Sequence, residues 1–182
     1  MKMKYIIVCL SFVFTTLVVA QEKYSTKNGT IVFEASVPSF EEVKAKNENV
    51  SAILNVETGD FASLVLINGF RFKVALMEEH FNENYMESSK FPKAIVKGKL
   101  KDFSVSKLND GVSNYTLEGT ITIHGVTKPF ETSLSISKKG DSLHVESQFV
   151  LNPTDFNIEI PKIVSNKIAD EVNVNAKYSL LR

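Results

Sequence analysis

The sequence predicts an all-β protein: an antiparallel barrel or sandwich of about eight strands with one short inserted helix. Apolar and polar residues alternate in segment after segment, as expected for strands that bury one face. Short turn sequences, such as Thr58-Gly59-Asp60 and Lys139-Gly140-Asp141, separate these segments. No regular succession of strand and helix, which is typical of parallel sheets, is present. All three observations favour strands that follow one another antiparallel.

The strands are predicted from their apolar faces. In chain order, the alternating segments are residues 31–37, 50–56, 61–72, 93–100, 115–123, 130–136, 143–151 and 172–180. In the third segment, one predicted face comprises Ala62, Leu64, Leu66, Phe70 and Phe72. Asn68-Gly69 interrupts this segment and indicates a bulge that bends the strand at a barrel corner.

The segment that begins at Met77 has a helical period instead. The residues that share one side of this helix, at i, i+3, i+4 and i+7 spacing, are Met77, His80, Phe81, Asn84 and Tyr85. Met86 falls off this side, so the helix is expected to be short or irregular at its end. Pro92 cannot continue a helix. A lone helix with an apolar side among strands indicates a lid or plug over the β-structure.

Residues 1–20 are predicted to be a signal peptide. Lys2 and Lys4 form a positive start, residues 5–19 are almost wholly apolar, and Ala20 is a small residue suited to cleavage before Gln21. The apolar run is shorter than the roughly 20 residues of a membrane-spanning helix. We therefore expect a periplasmic or secreted protein without stable membrane insertion.

The mature chain is predicted to lack thiols, because the single cysteine, Cys9, lies within the signal peptide. Disulfides, cysteine nucleophiles and thiolate metal sites are thereby excluded from it. Residues 21–182 have the length of one domain, and no linker or repeat divides them. Removing Lys2 and Lys4 from 21 basic residues, against 21 acidic ones, leaves a formal charge of −2. This interspersed charge argues against nucleic-acid binding.

The residue types are compatible with two kinds of barrel interior. An eight-stranded barrel is either just filled by side chains or holds one small ligand. Small residues on the apolar faces would leave space. The thirteen phenylalanines, apart from Phe12 and Phe14 in the predicted signal peptide, would supply apolar walls. Those small residues are Ala35, Ala52, Ala62, Ala94, Gly98, Gly119 and Ala176.

Three sequence blocks resemble the YceI-like family of lipid- or polyisoprenoid-binding domains. The first block comprises Met77, Glu79, His80, Phe81, Tyr85, Met86, Phe91-Pro92-Lys93-Ala94 and Gly98. The second is GTITIHGVTK at residues 119–128, and the third joins residues 152–156 to residues 170–172. The resemblance implies an extended, lipocalin-like antiparallel β-barrel with an internal apolar tunnel for a long isoprenoid or other lipid tail.

Together, the resemblance and the apolar faces predict a set of tunnel residues. Alternation alone does not say which face of a strand is the interior. The predicted ligand-binding residues are Phe33, Leu64, Leu66, Phe70, Phe72, Met77, His80, Phe81, Tyr85 and Ile121.

The sequence offers no recognisable catalytic or metal-binding motif. The three histidines show no HxH, HxxxH or HExxH spacing, so neither a metal site nor a cofactor is predicted. His124, before Gly125, is expected to hold a tight corner by a structural hydrogen bond. His80 is interpreted in two ways: it contacts a ligand head group, or it anchors the helix to the barrel rim.

The favoured function is therefore that of an exported, non-enzymatic binding protein for an apolar isoprenoid-type lipid, either a polyisoprenoid or quinone-like. One alternative is an accessory enzyme or redox factor acting on a quinone-type lipid through His80 or Tyr85. Another is a surface protein whose filled barrel has no ligand. A homodimer is left open by the sequence.

Overall fold

A computed structural model describes residues 22–182, so the predicted signal peptide lies outside the described residues. The described chain forms nine strands, one short helical segment and three 3-10 turns, which are Ile67–Gly69, Val105–Lys107 and Pro153–Phe156. The strands are β1 (Lys23–Ser36), β2 (Lys44–Asn55), β3 (Asp60–Leu66), β4 (Arg71–Phe72), β5 (Lys93–Leu100), β6 (Ser113–Ile123), β7 (Val126–Lys139), β8 (Ser142–Leu151) and β9 (Ile168–Leu181). The helix α1 (Ala75–His80) continues as a π-helical turn, Phe81–Tyr85.

Eight of the strands close into an antiparallel barrel, which confirms the predicted fold class. The order around the barrel is β1-β9-β8-β7-β6-β5-β3-β2, and β1 pairs with both β9 and β2. The short β4 is an extra strand that pairs with the start of β2, where Phe72 lies opposite Ala45. Each of the eight strands therefore has a partner on both sides, although β7 pairs with β8 only over Ser135–Lys139.

The predicted third segment is not one strand. Its first half is β3, and Ile67–Gly69 then forms a single 3-10 turn before β4. Gly69 is needed there because a Cβ would lie 2.5 Å from the amide nitrogen of the Asn47 side chain. The interruption predicted at Asn68-Gly69 is thus a turn that directs the chain toward the helix.

The β6–β7 connection is a tight hairpin of two residues. Ile123 pairs with Val126, and His124 and Gly125 between them have φ values of 50° and 75°. Positive φ at both positions is the geometry of a type I′ turn, whose twist matches that of the flanking strands. The second block of the family resemblance therefore contains a sharply defined corner.

One end of the barrel is filled by side chains. The largest fully buried apolar residues of this core include Val50, Leu54, Ile136, Leu143, Val145 and Leu180. They come from four strands, and they interdigitate as expected for a barrel of this strand number. The other end, next to α1, is hollow and contains the candidate site.

Candidate ligand cavity

The half of the barrel next to α1 encloses a cavity of about 490 Å³. This volume lies within the range of roughly 300–1,000 Å³ that is usual for small-molecule sites. Its walls are inward-facing side chains of the strands, and α1, its π-helical turn and residues 156–168 complete them. The described residues therefore form a barrel with a filled half and a hollow half.

Along each strand, the inward side chains pass from the hollow half to the filled half. On β9, Val172, Val174, Ala176 and Tyr178 line the cavity, whereas Leu180 is wholly buried beyond it. On β8, Ser147 lines the cavity and Val145 lies beyond it. We call the level of Tyr178 and Ser147 the floor of the cavity.

Four phenylalanine rings form a cluster on one wall. Phe81, from the π-helical turn, lies with its ring centroid 5.3 Å from Phe33, 5.8 Å from Phe70 and 5.2 Å from Phe72. Phe33 and Phe70 make an edge-on contact at 5.1 Å. Such rings provide rigid apolar surface at favourable aromatic distances. The cluster joins the helical segment to β1 and β4.

The start of the helical segment is attached to β4 by one carboxylate. Glu78 Oε1 lies 3.1 Å from Arg71 Nη1, and Glu78 Oε2 accepts a hydrogen bond from the Phe72 backbone N–H at 3.1 Å. This pair of contacts orients α1 so that Met77 and Phe81 face the cavity.

The end of the helical segment is attached to the β6–β7 corner. His124 hydrogen-bonds through Nε2 to Glu87 Oε2 at 3.0 Å, and through Nδ1 to the Phe156 carbonyl at 3.1 Å. Its ring also meets Phe91 edge-on, with centroids 4.4 Å apart. The predicted structural hydrogen bond of His124 is confirmed, and the residue connects three segments rather than one corner.

Most of the predicted ligand-binding residues line the cavity. Those that do so are Phe33, Phe70, Phe72, Met77, His80, Phe81, Tyr85 and Ile121. His80 is exposed at the margin of the cavity. Burial raises the pKa of the Tyr85 hydroxyl, so this group remains neutral over a wide pH range.

Leu64 and Leu66 do not line the cavity, and their predicted position on the interior face was wrong. Phe61, Ser63 and Val65 line it instead, and side chains alternate across a strand. Leu66 is accordingly 44% exposed. The turn at Ile67–Gly69 changes the phase, so that Phe70 and Phe72 face inward although they share parity with Leu64 and Leu66.

Several lining residues were not predicted. They are contributed by β7, β8, the loop before β2, the end of the helical segment and the segment after β8, and include Phe40, Val43, Met86, Phe130, Phe149, Phe156, Ile158 and Val164. Alternation had already placed Phe130 and Phe149 on apolar faces. The loop residues carried no periodic signal. Met86, which directly follows the π-helical turn, also lies in the cavity wall.

The floor carries the polar groups of an otherwise apolar interior. Ser63 Oγ and Tyr178 OH are 2.9 Å apart, and Thr132 Oγ1 and Ser147 Oγ are 3.1 Å apart. Burial raises the pKa of the Tyr178 hydroxyl, while its hydrogen bond to Ser63 opposes this shift. Both hydroxyl pairs are thus uncharged at neutral pH, and all four of these residues line the cavity.

Residues 22–182 contain neither a cluster of metal-binding side chains nor a helix that could span a membrane. Nowhere in that range do three or more histidine, cysteine or acidic side chains converge as they would around a metal ion. The helices of the same range are too short or too polar to cross a membrane.

The structure resembles solved structures over most of its length. A polyisoprenoid binding domain from Saccharophagus degradans superposes with a TM-score of 0.76 at 14% identity, covering 87% of this chain and 97% of the other. BcnA of Burkholderia cenocepacia gives 0.68 at 13% identity, with 84% and 96% covered. The YceI protein of Campylobacter jejuni gives 0.62 at 16% identity, with 80% and 88% covered. At these identities, the likeness establishes a shared fold.

The sequence comparisons give the family. No curated protein has a significant match to the sequence. A family model described as the YceI-like domain matches residues 19–180, which include all three blocks that carried the resemblance. The chain therefore belongs to the YceI-like domain family.

Proposed function

We propose that the protein is a binding protein that holds an apolar isoprenoid-type lipid, either a polyisoprenoid or quinone-like, in the barrel cavity. The observation that carries the proposal is the cavity itself, about 490 Å³ in volume and walled almost entirely by aliphatic and aromatic side chains. Each CH₂ group removed from water contributes about 0.8 kcal/mol. A long hydrocarbon tail therefore binds such a cavity with little polar chemistry.

The ligand class is supported by the relatives. The Saccharophagus degradans protein with the same fold is described as a polyisoprenoid binding domain. Rings such as Phe33, Phe70 and Phe81 suit a branched, partly unsaturated chain, because their flat faces pack against planar double bonds and methyl groups alike. Cavity length and shape then set specificity.

The proposed setting is the periplasm or the extracellular medium, after removal of residues 1–20. Lys2, Lys4, the apolar run of residues 5–19 and Ala20 support export. In an aqueous compartment, a closed barrel would shield the lipid tail during transport, storage or sequestration. Intact-mass measurement of the exported protein should show a chain that begins at Gln21. Recovery of the full-length chain in the membrane fraction would contradict export.

The proposal is tested by purifying the protein without detergent and analysing an organic extract by mass spectrometry. A stoichiometric isoprenoid or other long-chain lipid is the expected result. The matched variants are Phe81→Ala in the cavity wall and Val150→Ala on the outer surface. Phe81→Ala should lower the retained lipid, and Val150→Ala should not. An extract with no lipid, together with no uptake of added polyisoprenoid, would refute the proposal.

The filled-barrel alternative does not fit the hollow half of the barrel. Under that alternative, Phe81→Ala would cost the ~3–5 kcal/mol of a fully buried Phe truncation. Phe81 is only partly buried and faces the cavity. We therefore expect a smaller loss of stability, accompanied by loss of lipid.

A further inference from the structure

The phenol of Tyr178 crosses the interior of the barrel. Tyr178 belongs to β9, and its hydroxyl lies 2.9 Å from Ser63 Oγ on β3, with β1 and β2 between these two strands. The ring passes over Gly29 of β1, where an added Cβ would lie only 2.5 Å from Tyr178 Cδ1. Phe61 supports the ring edge-on at a centroid distance of 5.8 Å. Several strands therefore fix the position of this hydroxyl at the cavity floor.

The two hydroxyl pairs of the floor differ in the number of hydroxyl protons that remain available to donate a further hydrogen bond. Ser147 Oγ donates its only proton to the Ser133 carbonyl at 2.9 Å, so Thr132 must be the donor in the bond to Ser147. Both protons of that pair are used. Ser63 and Tyr178 have two protons and one hydrogen bond between them. Whichever hydroxyl donates in that bond, the other O–H has no acceptor among residues 22–182.

A buried donor without an acceptor is costly, and buried polar groups are normally hydrogen-bonded. Ser63 and Tyr178 are each only 6% exposed, and both line the cavity. The remaining hydroxyl proton can therefore be accepted only by an atom of a molecule that occupies the cavity. Thr132 and Ser147, in contrast, offer only lone pairs.

We propose that the Ser63–Tyr178 pair is a hydrogen-bond donor site for the bound ligand, which therefore carries a carbonyl-type oxygen at the end lying on the floor. The proposal rests on the proposed lipid-binding function and extends it. It also fixes the orientation of the ligand in the barrel. The oxygen-bearing end lies deep in the barrel, and the hydrocarbon chain runs past the phenylalanine cluster toward α1. A purely hydrocarbon end would leave the spare donor unsatisfied.

The test compares two probes, a long-chain methyl ketone and the n-alkane of equal chain length. Each competes with a fluorescent apolar dye for the wild-type protein and for Ser63→Ala/Tyr178→Phe. The double variant removes both hydroxyls and almost no volume, which avoids leaving a single buried partner unpaired. The single variants are less informative, because each retains one hydroxyl proton. Thermal unfolding shows that the compared proteins are folded.

The quantity measured is the ratio of the ketone and alkane affinities within each protein. The ketone and the alkane differ in their free energy of transfer out of water, but this difference is the same for every protein. It therefore cancels when the ratio is compared between proteins. We expect the ketone preference to fall about tenfold in the double variant, equivalent to roughly 1.4 kcal/mol. Thr132→Val should keep the wild-type ratio, whatever its effect on the binding of both probes, because Thr132 has no spare proton.

Infrared spectroscopy provides a second readout that needs no variant. The carbonyl stretch of a ¹³C-labelled ketone should shift to lower frequency in the wild-type cavity relative to the ketone in alkane solvent. Equal ratios in wild type and double variant, or an unshifted carbonyl, would overturn the donor site while leaving lipid binding intact. Failure of both probes to bind the wild type would instead overturn the proposed function, and the donor site with it.

Discussion

Glu87 and His124 are joined by a hydrogen bond of 3.0 Å between Oε2 and Nε2, although 37 residues separate them in the chain. The second ring nitrogen of His124 bonds to the carbonyl of Phe156. Both ring nitrogens of His124 therefore have a hydrogen-bond partner, one on each side of the imidazole. One imidazole thus holds the end of the helical segment, the β6–β7 corner and the segment after β8 in one arrangement around the cavity.

Replacing His124 should weaken this arrangement. We expect His124→Ala to lower the free energy of unfolding by about 2 kcal/mol, because two hydrogen bonds to partly buried groups are lost. The melting temperature should fall by roughly 4–8 °C. His144→Ala is the matched control, since His144 makes only two long contacts of 3.3 Å with hydroxyls of neighbouring strands. Equal losses in the two variants would contradict the connecting role of His124.

Gly125 should tolerate a side chain less well than Gly140. Both have positive φ, 75° and 58°, so alanine is strained at either position. A Cβ at Gly125 would also lie 2.7 Å from Phe91 Cε1, whereas nothing lies within 4 Å at Gly140. Gly125→Ala should therefore cost about 1 kcal/mol more than Gly140→Ala in chemical unfolding. Equal costs would mean that Phe91 moves aside freely.

The strands were predictable because a barrel with a buried interior imposes alternation. Residues 93–100 were predicted as a strand, and β5 has these bounds. The start of β1 was missed, because residues 23–30 are mostly polar and only Tyr24 and Gly29 are buried there. Pairing with β2 and β9, rather than the apolar pattern, makes this segment a strand.

The interior face was harder to predict than the strands. Alternation assigned Leu64 and Leu66 to the same face as Phe70 and Phe72, but the turn at Ile67–Gly69 breaks that continuity. Ser63 lies on the interior face although it is polar, because Tyr178 from a distant strand pairs with it. That pairing depends on barrel closure, which no local pattern encodes.

The small residues also have two roles that the sequence does not separate. Ala35, Ala94 and Ala176 line the cavity, as expected of residues that leave space. Gly98 and Gly119 are paired across β5 and β6, and a Cβ at Gly119 would lie 2.0 Å from the Lys97 carbonyl oxygen. These glycines therefore permit close approach of two strands rather than enlarging the cavity.

Stability should fall in alkaline solution partly because of Tyr178. Burial raises its pKa in the folded protein above the unfolded value near 10. The folded state then retains a proton that the unfolded state loses. The contribution of Tyr178 to stability is therefore constant below about pH 10 and is lost as the pH rises through the folded pKa. Tyr178→Phe should reduce this decline in unfolding midpoints measured from pH 9 upward. A residual slope is expected, because burial also raises the pKa values of Tyr24 and Tyr85. An unchanged slope in Tyr178→Phe would contradict the burial of an ionisable hydroxyl at the floor.

A larger side chain in the cavity should reduce lipid binding without a matching loss of stability. Ala94 lines the cavity on β5, and Ala62 lies on the opposite, outer face of β3, between the lining residues Phe61 and Ser63. Ala94→Phe places a ring in the empty space, so we expect several-fold less extractable lipid with an unfolding free energy within about 1 kcal/mol of wild type.

Ala62→Phe adds the same ring outside the barrel and should leave the lipid content unchanged. Both quantities are measured on one preparation of each variant, by mass spectrometry of the extract and by chemical unfolding. Wild-type lipid content in Ala94→Phe, in a protein that unfolds normally, would place the ligand outside this cavity. Equal lipid loss in both variants would attribute the effect to surface hydrophobicity, because only Ala94 faces the space that the tail must occupy.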